Sequence, residues 1–229
     1  MDALSCYGDA LVVVTVERWG ARIVGSDGAE TELRLAEEPG RPAVVNRAVA
    51  GLPRDVGWVA VVDQGVTWTP GALERLRAAA TPRAALLGPL LRDPTLRQIP
   101  SSGPRPSLGP LLRGRVLAQP VVGGPTGWLD GRCVLLRRLA WDSVDGYDSR
   151  YAGAGTHPDP ADVDLGDRLV RAGWLVLGVP EVEVVVHPIE RQGILDVRGQ
   201  ESRGQGLRRY VHDRYRAPAR TLMALARRG

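Results

Sequence analysis

The chain has 229 residues, of which 44% are hydrophobic, enough to bury one sizeable core. Its formal net charge of +4 is modest for a nucleic-acid-binding protein, and no recognised DNA- or RNA-binding motif accompanies the charge. We therefore expect no nucleic-acid partner. The two cysteines, Cys6 and Cys133, lack metal-binding spacing, which argues against a zinc site and a disulfide-built fold and favours buried free thiols.

The sequence shows no signal for export or for membrane insertion. Its first residues, Met1 to Leu4, lack the basic segment of a signal peptide, and no apolar run approaches the ~20 residues that span a bilayer. We expect a cytoplasmic protein.

The first half of the chain predicts alternating strands and helices. Ala10 to Val16 is apolar on both faces, which is typical of a buried parallel strand. Gly57 to Val62 is the clearest central strand, and Asp63 follows it at the edge where α/β sheets usually bind ligands. Further predicted elements are a strand at Glu32 to Ala36, a helix at Val44 to Leu52, a short helix N-capped by Thr69, a strand at Ala84 to Leu87 and a surface loop from Asp93 to Pro110.

The second half continues the alternation. The predicted elements are a strand at Arg132 to Leu136, a helical turn at Arg138 to Trp141, a helix at Ala161 to Ala172, and strands at Leu175 to Val179 and Val182 to Val186. Asp162 falls in the first turn of the long helix, where the helix dipole favours an ionised carboxylate. We interpret Asp167, further along the same helix, as a solvated surface acid. His187 directly follows the last strand.

The end of the chain is basic and helical in pattern. Leu207, Val211 and Tyr215 are spaced by four residues, and many arginines surround them. A solvated helix is the simplest interpretation. Alternatively, a basic amphipathic tail rests on an anionic membrane, at about 1 kcal/mol per arginine near the surface. We predict a main domain over residues 1–190 and a tail over residues 191–229.

Taken in order, four sites resemble the motifs of one enzyme family. They are Asp63 with the helix start Pro70-Gly71-Ala72-Leu73, the loop Trp128-Leu129-Asp130-Gly131, the pair Ala161-Asp162, and His187. Their order resembles family 2 glycosyltransferases of the GT-A fold, especially the rhamnosyltransferase-like bacterial members. The resemblance implies an α/β fold with a Rossmann-like, mixed but mostly parallel sheet flanked by helices. It also implies an inverting transfer of sugar from a nucleotide-diphosphate sugar to a hydroxyl of a glycan or polyprenyl-linked acceptor.

The resemblance also implies roles for individual residues. Asp162 matches the general base that removes the acceptor proton. Asp63 matches the first acid of an Asp-x-Asp motif that holds Mg²⁺ or Mn²⁺ across the donor diphosphate, with His187 as a second ligand. Two acids of the family pattern are replaced, by Gly65 and Ala161. The loss at Gly65 removes a hard oxygen ligand and weakens the expected cation site.

Three further residues are candidates for substrate binding. Arg47 is placed to reach a phosphate, Trp128 to stack on a sugar ring, and Asp130 replaces a serine in a loop near donor and acceptor. Each candidate also has a structural interpretation. These are a turn-capping acid for Asp63, a helix N-terminal acid for Asp162, a hydrogen-bonded histidine for His187, a core aromatic for Trp128 and a solvated arginine for Arg47.

The missing acids and a short N-terminal unit leave a second hypothesis open. In it, the chain is a catalytically degenerate GT-A-like module that binds a nucleotide sugar, a partner protein or a membrane glycolipid.

Overall fold

The computed structural model describes residues 8–17, 20–35, 40–112, 116–151, 158–187 and 206–215. The strands in these ranges are β1 (Ala10–Glu17), β2 (Gly20–Val24), β3 (Glu30–Arg34), β4 (Val56–Asp63), β5 (Val66–Trp68), β6 (Ala84–Arg92), β7 (Ser102–Gly103), β8 (Gly124–Thr126), β9 (Trp128–Leu129), β10 (Cys133–Arg137) and β11 (Leu175–Val186). The helices are α1 (Arg41–Ala50), α2 (Ala72–Ala78), α3 (Leu108–Leu112), α4 (Arg138–Asp142), α5 (Pro160–Arg171) and α6 over residues 206–214.

Nine strands form one mixed sheet in the order β3-β2-β1-β4-β10-β6-β11-β5, with β8 added beside β11. The pairs β1–β4 and β6–β11 are parallel. β10 runs antiparallel to both β4 and β6, so β1, β4, β6 and β11 all point the same way. The predicted α/β fold with a mixed sheet flanked by helices is confirmed. The expectation of a mostly parallel sheet is wrong, because the insertion of β10 and the outer strands make antiparallel pairs the majority.

Both faces of the central sheet are covered. β4 alternates its side chains between the faces, with Val59 and Val61 on one and Trp58 and Ala60 on the other. Helices α1, α4, α5 and α6 pack on the first face, and α2 packs on the second. This explains why β4 reads as a continuous apolar run.

The predicted elements are largely observed, with four differences. β2 lies in a region where apolar and polar residues alternate only weakly. The region predicted as two strands, Leu175 to Val186, forms one continuous strand. The helix predicted to be N-capped by Thr69 begins later, at Ala72, because Gly71 takes the N-cap position with a left-handed φ of 69°. The loop from Asp93 to Pro110 contains β7 and the start of α3.

Helix α6 docks on the main core. Leu207, Tyr210 and Val211 are buried in the same cluster as α1 and α5, so the apolar face predicted for the tail is turned inward. The boundary at residues 190 and 191, and most of the tail's arginines, lie outside the described residues. Cys133 is buried and free, whereas Cys6 lies outside the described ranges. Among the helices described, none has the length and apolar character needed to cross a membrane.

Candidate functional site

The carboxyl edge of the sheet brings β4 and α1 together. Asp63 is the last residue of β4, and α1 begins at the same edge because it runs back along the sheet before β4. Arg41, the first residue of α1, donates from Nε to Asp63 Oδ1 at 2.8 Å. The two side chains are 15% and 12% exposed, so this ion pair is largely shielded from water.

Asp162 is held at the same place by three different elements. Its Oδ2 accepts from the backbone N–H of Gly131 at 2.8 Å, and its Oδ1 accepts from the Tyr147 hydroxyl at 2.7 Å. Arg41 Nη1 lies 3.6 Å from Asp162 Oδ1. Asp159 fixes the start of α5 by accepting from the Ala161 N–H as N-cap.

Arg41 therefore links the two carboxylates that the sequence analysis singled out. Its guanidinium contacts Asp63 and Asp162 and also donates to the Tyr147 hydroxyl and the Gly131 carbonyl. A Cβ at Gly131 would lie closer than 3.0 Å to side-chain atoms of Asp162, Arg41 and Tyr147, so a larger residue there would require these side chains to shift. Asp63 and Asp162 thus share one charged cluster, hereafter the Arg41 cluster (Arg41, Asp63, Gly131, Tyr147, Asp162).

Burial is the largest influence on the pKa values of Asp159 and Asp162 at the start of α5. It raises the pKa of Asp162 above the ordinary carboxyl range, while the Arg41 charge and the Tyr147 hydrogen bond act to lower it. Burial and the nearby charge of Asp162 likewise raise the pKa of Asp159. The first-turn position of Asp162 favours the ionised form through the helix dipole, whereas burial favours the neutral form. Burial also raises the pKa of Tyr147, which keeps its hydroxyl protonated as a donor.

The loop after β9 is tightly built. The Asp130 carboxylate accepts two hydrogen bonds from Arg132 Nε and one from Nη2 at 2.6–3.0 Å, which places an internal ion pair beside the Arg41 cluster. Trp128 is 0% exposed, so its ring packs in the core. In this conformation Trp128 is a core aromatic residue, as the structural interpretation expected, because no face of its ring is open to stack on a sugar.

The cation predicted at Asp63 and His187 has an incomplete set of protein ligands. His187 is exposed, and its backbone N–H donates to the Gly65 carbonyl at 2.9 Å, which places it at the same sheet edge as Asp63. Within the described ranges, no three His, Cys, Asp or Glu side chains are grouped to hold a metal ion. Mg²⁺ usually binds through one or two carboxylates together with substrate phosphates and water. The residues present fit a cation that is completed by a bound diphosphate.

Arg47 lies away from the cluster. It is exposed in the last turn of α1, six residues beyond Arg41, which corresponds to about 9 Å along the helix axis. Its neighbour Asn46 exchanges two hydrogen bonds with the Tyr147 backbone, at 2.7 and 2.9 Å, and so ties α1 to the loop before α5.

The sequence analysis missed Arg41 and Tyr147 as site residues. The available signals were slight: Arg41 stands between a glycine and a proline at a helix start, and Tyr147 lies in Gly-Tyr-Asp. Neither pattern indicates which carboxylate the side chain meets.

A cavity of about 270 Å³ lies elsewhere, at the amino ends of β1 and β4. It is lined by Gly8, Gly57, Trp58 and Arg137 among others. The acids of the Arg41 cluster belong to the opposite edge of the sheet, so this cavity is not the site described above.

Comparison with known proteins agrees with the architecture. No family model matches the chain. Two curated proteins, from Mycobacterium tuberculosis strains CDC 1551 / Oshkosh and ATCC 25618 / H37Rv, are each 38% identical over 186 residues, covering 67% of this chain and 57% of the relative. Both are named N-acetylglucosaminyl-diphospho-decaprenol L-rhamnosyltransferase. The chain thus spans a little over half the length of these relatives.

Solved structures show the same fold. GalNAc-T7, crystallised with UDP, GalNAc and Mn²⁺, superposes with a TM-score of 0.56 at 13% identity, over 78% of this chain and 36% of that one. The chain has the GT-A fold. A mannosyltransferase from Pyrobaculum calidifontis, solved with GDP-Man and Mn²⁺, also matches, with a TM-score of 0.46 at 15% identity over 69% of this chain and 39% of that one.

The resemblance predicted from the motifs is confirmed. This GT-A chain is similar to rhamnosyltransferase-like members of glycosyltransferase family 2. The Arg41 cluster lies at the carboxyl edge of its sheet, where open α/β folds bind their ligands.

Proposed function

We propose that this GT-A chain is an inverting glycosyltransferase in which Asp162 is the general base. One observation carries the proposal: Asp63 and Asp162, from different elements, contact the same Arg41 guanidinium. An inverting transfer needs one group that accepts the acceptor proton and others that stabilise the departing diphosphate. The Arg41 cluster supplies both kinds of group.

In the proposed reaction, the acceptor O–H bond breaks and its proton passes to the Asp162 carboxylate. The acceptor oxygen forms a bond to the anomeric carbon of the donor, from the side opposite the diphosphate. The bond from that carbon to the diphosphate oxygen breaks, and its electron pair leaves with the nucleoside diphosphate. Each oxygen of Asp162 has two lone pairs, so the hydrogen bonds from Gly131 and Tyr147 leave room for the incoming proton.

The raised pKa of Asp162 suits this role. A base whose pKa lies closer to the working pH binds the transferred proton more strongly than an ordinary aspartate does. Arg41 opposes the effect of burial and lowers the pKa of Asp162, which favours the ionised form that a general base needs.

Asp63 and His187 are the residues that would hold a divalent cation. When bound, Mg²⁺ or Mn²⁺ supplies Lewis-acid stabilisation of the leaving diphosphate. The Mn²⁺ in the GalNAc-T7 structure supports this cofactor. Because Arg41 already pairs with Asp63, we expect the cation to bind together with the nucleotide and weakly without it.

The substrates follow from the curated relatives. Their name supports L-rhamnose as the transferred sugar and a polyprenyl-diphosphate-linked N-acetylglucosamine as the acceptor. Arg47 and Asp130 remain predicted substrate-binding residues, whereas the buried ring of Trp128 has no face open to a sugar in this conformation. Of these, Asp130 is nearest to the cluster, since the next residue in the chain is Gly131.

A polyprenyl-linked acceptor makes contact with a membrane surface useful, and the tail is the candidate segment. Arg208 and Arg209 are exposed on α6. Because the apolar face of α6 is buried in the protein, any such contact by this helix is electrostatic and weakens with salt. A cytoplasmic location, peripheral at the inner membrane face, remains our prediction.

Ligand-induced thermal stabilisation tests the donor assignment. We expect the melting temperature to rise with at least one of uridine, thymidine and guanosine diphosphate, and to rise further with Mn²⁺, because ligands that bind only the folded state stabilise it. The degenerate-module hypothesis is compatible with that binding but predicts no sugar transfer. Absence of stabilisation by all three nucleotides would overturn the glycosyltransferase proposal.

A further inference from the structure

We infer that Arg105, Arg171 and Arg214 form a binding site for a phosphate or diphosphate group, separate from the Arg41 cluster. The three side chains surround Asp167, and we call these four residues the Asp167 cluster. They come from the loop before α3, from α5 and from α6. The site goes beyond the proposed sugar transfer, and its existence does not depend on that activity.

The geometry shows three guanidinium groups converging on one carboxylate. Arg105 donates from Nε and Nη2 to Asp167 Oδ1 at 3.0 and 2.8 Å. Arg214 Nε lies 2.9 Å from Oδ2, and Arg171 Nη1 lies 3.9 Å from Oδ2. The Asp167 side chain is only 3% exposed, so the carboxylate forms the floor of the cluster.

The charges of this cluster do not balance. Within the part of the chain that the structure describes, three arginines against one aspartate leave a net charge of +2 among the residues in contact. The neighbouring acids are already paired, since Asp164 accepts from Arg168 at 2.7 Å and Asp213 contacts Arg150 at 3.0 Å. One arginine is enough to pair a buried carboxylate, and the others repel each other at this separation.

The unused donors are accessible. The side chains of Arg105 and Arg171 are 42% and 51% exposed, and Arg214 is 26% exposed. Among the described residues, Arg105 uses Nε and Nη2 for Asp167 and makes no protein hydrogen bond through Nη1, and Arg171 is too far from Asp167 for a hydrogen bond. Guanidinium groups present paired N–H donors that match phosphate oxygens.

A buried phenol beside the cluster adds a second observation. Tyr210 of α6 is 1% exposed, and its hydroxyl has no hydrogen-bond partner in the described part of the protein. Tyr210 and Arg214 are four residues apart on α6 and so lie on the same face of the helix, which places the phenol beside the cluster. A phosphate group supplies both hydrogen-bond acceptors, which the Tyr210 hydroxyl lacks, and negative charge, which balances the arginines.

Two sources of this chemistry are the diphosphate of a polyprenyl-linked acceptor and the headgroup of an anionic phospholipid. The cluster recognises the phosphate in either case. The proposal therefore concerns the phosphate group, and the experiment separates the sources.

Inorganic pyrophosphate is the first probe, with binding to the full chain measured by titration calorimetry at low ionic strength. Hydrogen bonds to charged groups are worth roughly 1.5–3 kcal/mol, so we expect each lost arginine to weaken binding about tenfold or more. Arg171→Met is the cleanest variant, because it leaves the hydrogen bonds of Asp167 intact. Arg105→Met is the second variant, and Arg54→Met, which removes an exposed charge outside the cluster, is the matched control.

The expected result is that Arg171→Met and Arg105→Met weaken pyrophosphate binding while Arg54→Met leaves it unchanged. Absence of binding to the wild type, or equal binding by all variants, would overturn the inference. Melting temperatures of the variants show whether a loss reflects unfolding.

The same variants then distinguish the sources. If the acceptor diphosphate is the ligand, Arg171→Met raises the KM for a polyprenyl-diphosphate acceptor and leaves the KM for a phosphate-free glycoside unchanged. If a phospholipid is the ligand, the variant loses sedimentation with phosphatidylglycerol vesicles. A failure of sugar transfer with every acceptor contradicts the proposed function and leaves the pyrophosphate result standing by itself.

Discussion

Two aspartates on α5, Asp162 and Asp167, are both buried but have opposite surroundings. Asp162 shares one arginine with Asp63 and accepts hydrogen bonds from Tyr147 and Gly131. Asp167 is surrounded by three arginines and holds two other segments against the helix. Burial raises the pKa of Asp162, and the charge of Arg41 opposes this effect. The comparison shows that two buried acids on one helix differ in role through their partners: Asp162 faces a second carboxylate across one arginine, whereas Asp167 joins three segments through ion pairs.

The largest expected effect is a loss of kcat, and it distinguishes Asp162 from Asp167. Asp162→Asn removes the proposed base, and loss of general-base catalysis typically costs 10²–10⁴-fold in rate. We expect kcat to fall by about that factor with the melting temperature nearly unchanged, measured by nucleoside diphosphate release. Asp167→Asn, with the same chemical change on the same helix, is the control. A kcat equally reduced in both variants would remove the distinction between them.

The next effect concerns the shared arginine. Arg41→Met leaves Asp63 and Asp162 without their cation, and breaking a buried pair typically costs about 3–5 kcal/mol of folding stability. Denaturant unfolding measures this loss.

The same variant also moves the pH dependence of activity. Asp162 must be deprotonated to act, and Arg41 lowers its pKa, so removing the positive charge raises that pKa further. We expect the acidic limb of the kcat/KM profile to shift to higher pH in Arg41→Met. A shift to lower pH, or no shift, would show that Arg41 does not act on the base.

A smaller effect is expected at the second acid. Asp167→Asn leaves a hydrogen-bond acceptor but removes the charge that holds Arg105 and Arg214, so α6 is less firmly docked. We expect a loss of about 2–3 kcal/mol in the free energy of unfolding, less than the full cost of an unpaired buried charge. Faster amide hydrogen exchange in residues 206–214 checks the location of the loss. Unchanged exchange there would show that Asp167 does not anchor the helix.

The smallest effect tests the hydrogen bond to the base. Tyr147→Phe keeps the ring packed against Trp141 but removes the hydroxyl that donates to Asp162. A buried hydrogen bond contributes about 1 kcal/mol, so we expect kcat to fall less than tenfold, as measured in the same release assay. A loss as large as that of Asp162→Asn would assign Tyr147 a direct part in the reaction.

Much of the fold was predictable because the central strands carry apolar residues on both faces. β4 and β6 are identified by composition alone, and Asp63 follows β4 at the ligand edge. β2 was missed because it is only five residues long and only its first two residues are buried, so its sequence shows no clear alternation of apolar and polar residues. The sheet was wrongly expected to be mostly parallel. The sequence of β10 does not indicate its direction, and β10 runs antiparallel to both of its neighbours.

The site was half predictable. Asp162 and Asp63 stand at element ends that local rules identify, whereas Arg41 acquires its role only when α1 meets β4 and α5. Asp167 was misjudged as a solvated acid for the same reason. Its partners Arg105 and Arg214 come from a loop 62 residues earlier and a helix 47 residues later, and helix periodicity alone cannot show what covers that side.

The most direct test is to incubate the wild-type chain with nucleotide-diphosphate rhamnose and a polyprenyl-diphosphate-linked N-acetylglucosamine, and to analyse the product by mass spectrometry and NMR. We expect one added deoxyhexose with inverted anomeric configuration, and far less product with Asp162→Asn. A folded, nucleotide-binding wild type that transfers no sugar, or an Asp162→Asn variant as active as the wild type, would show that Asp162 is not the base of a sugar transfer.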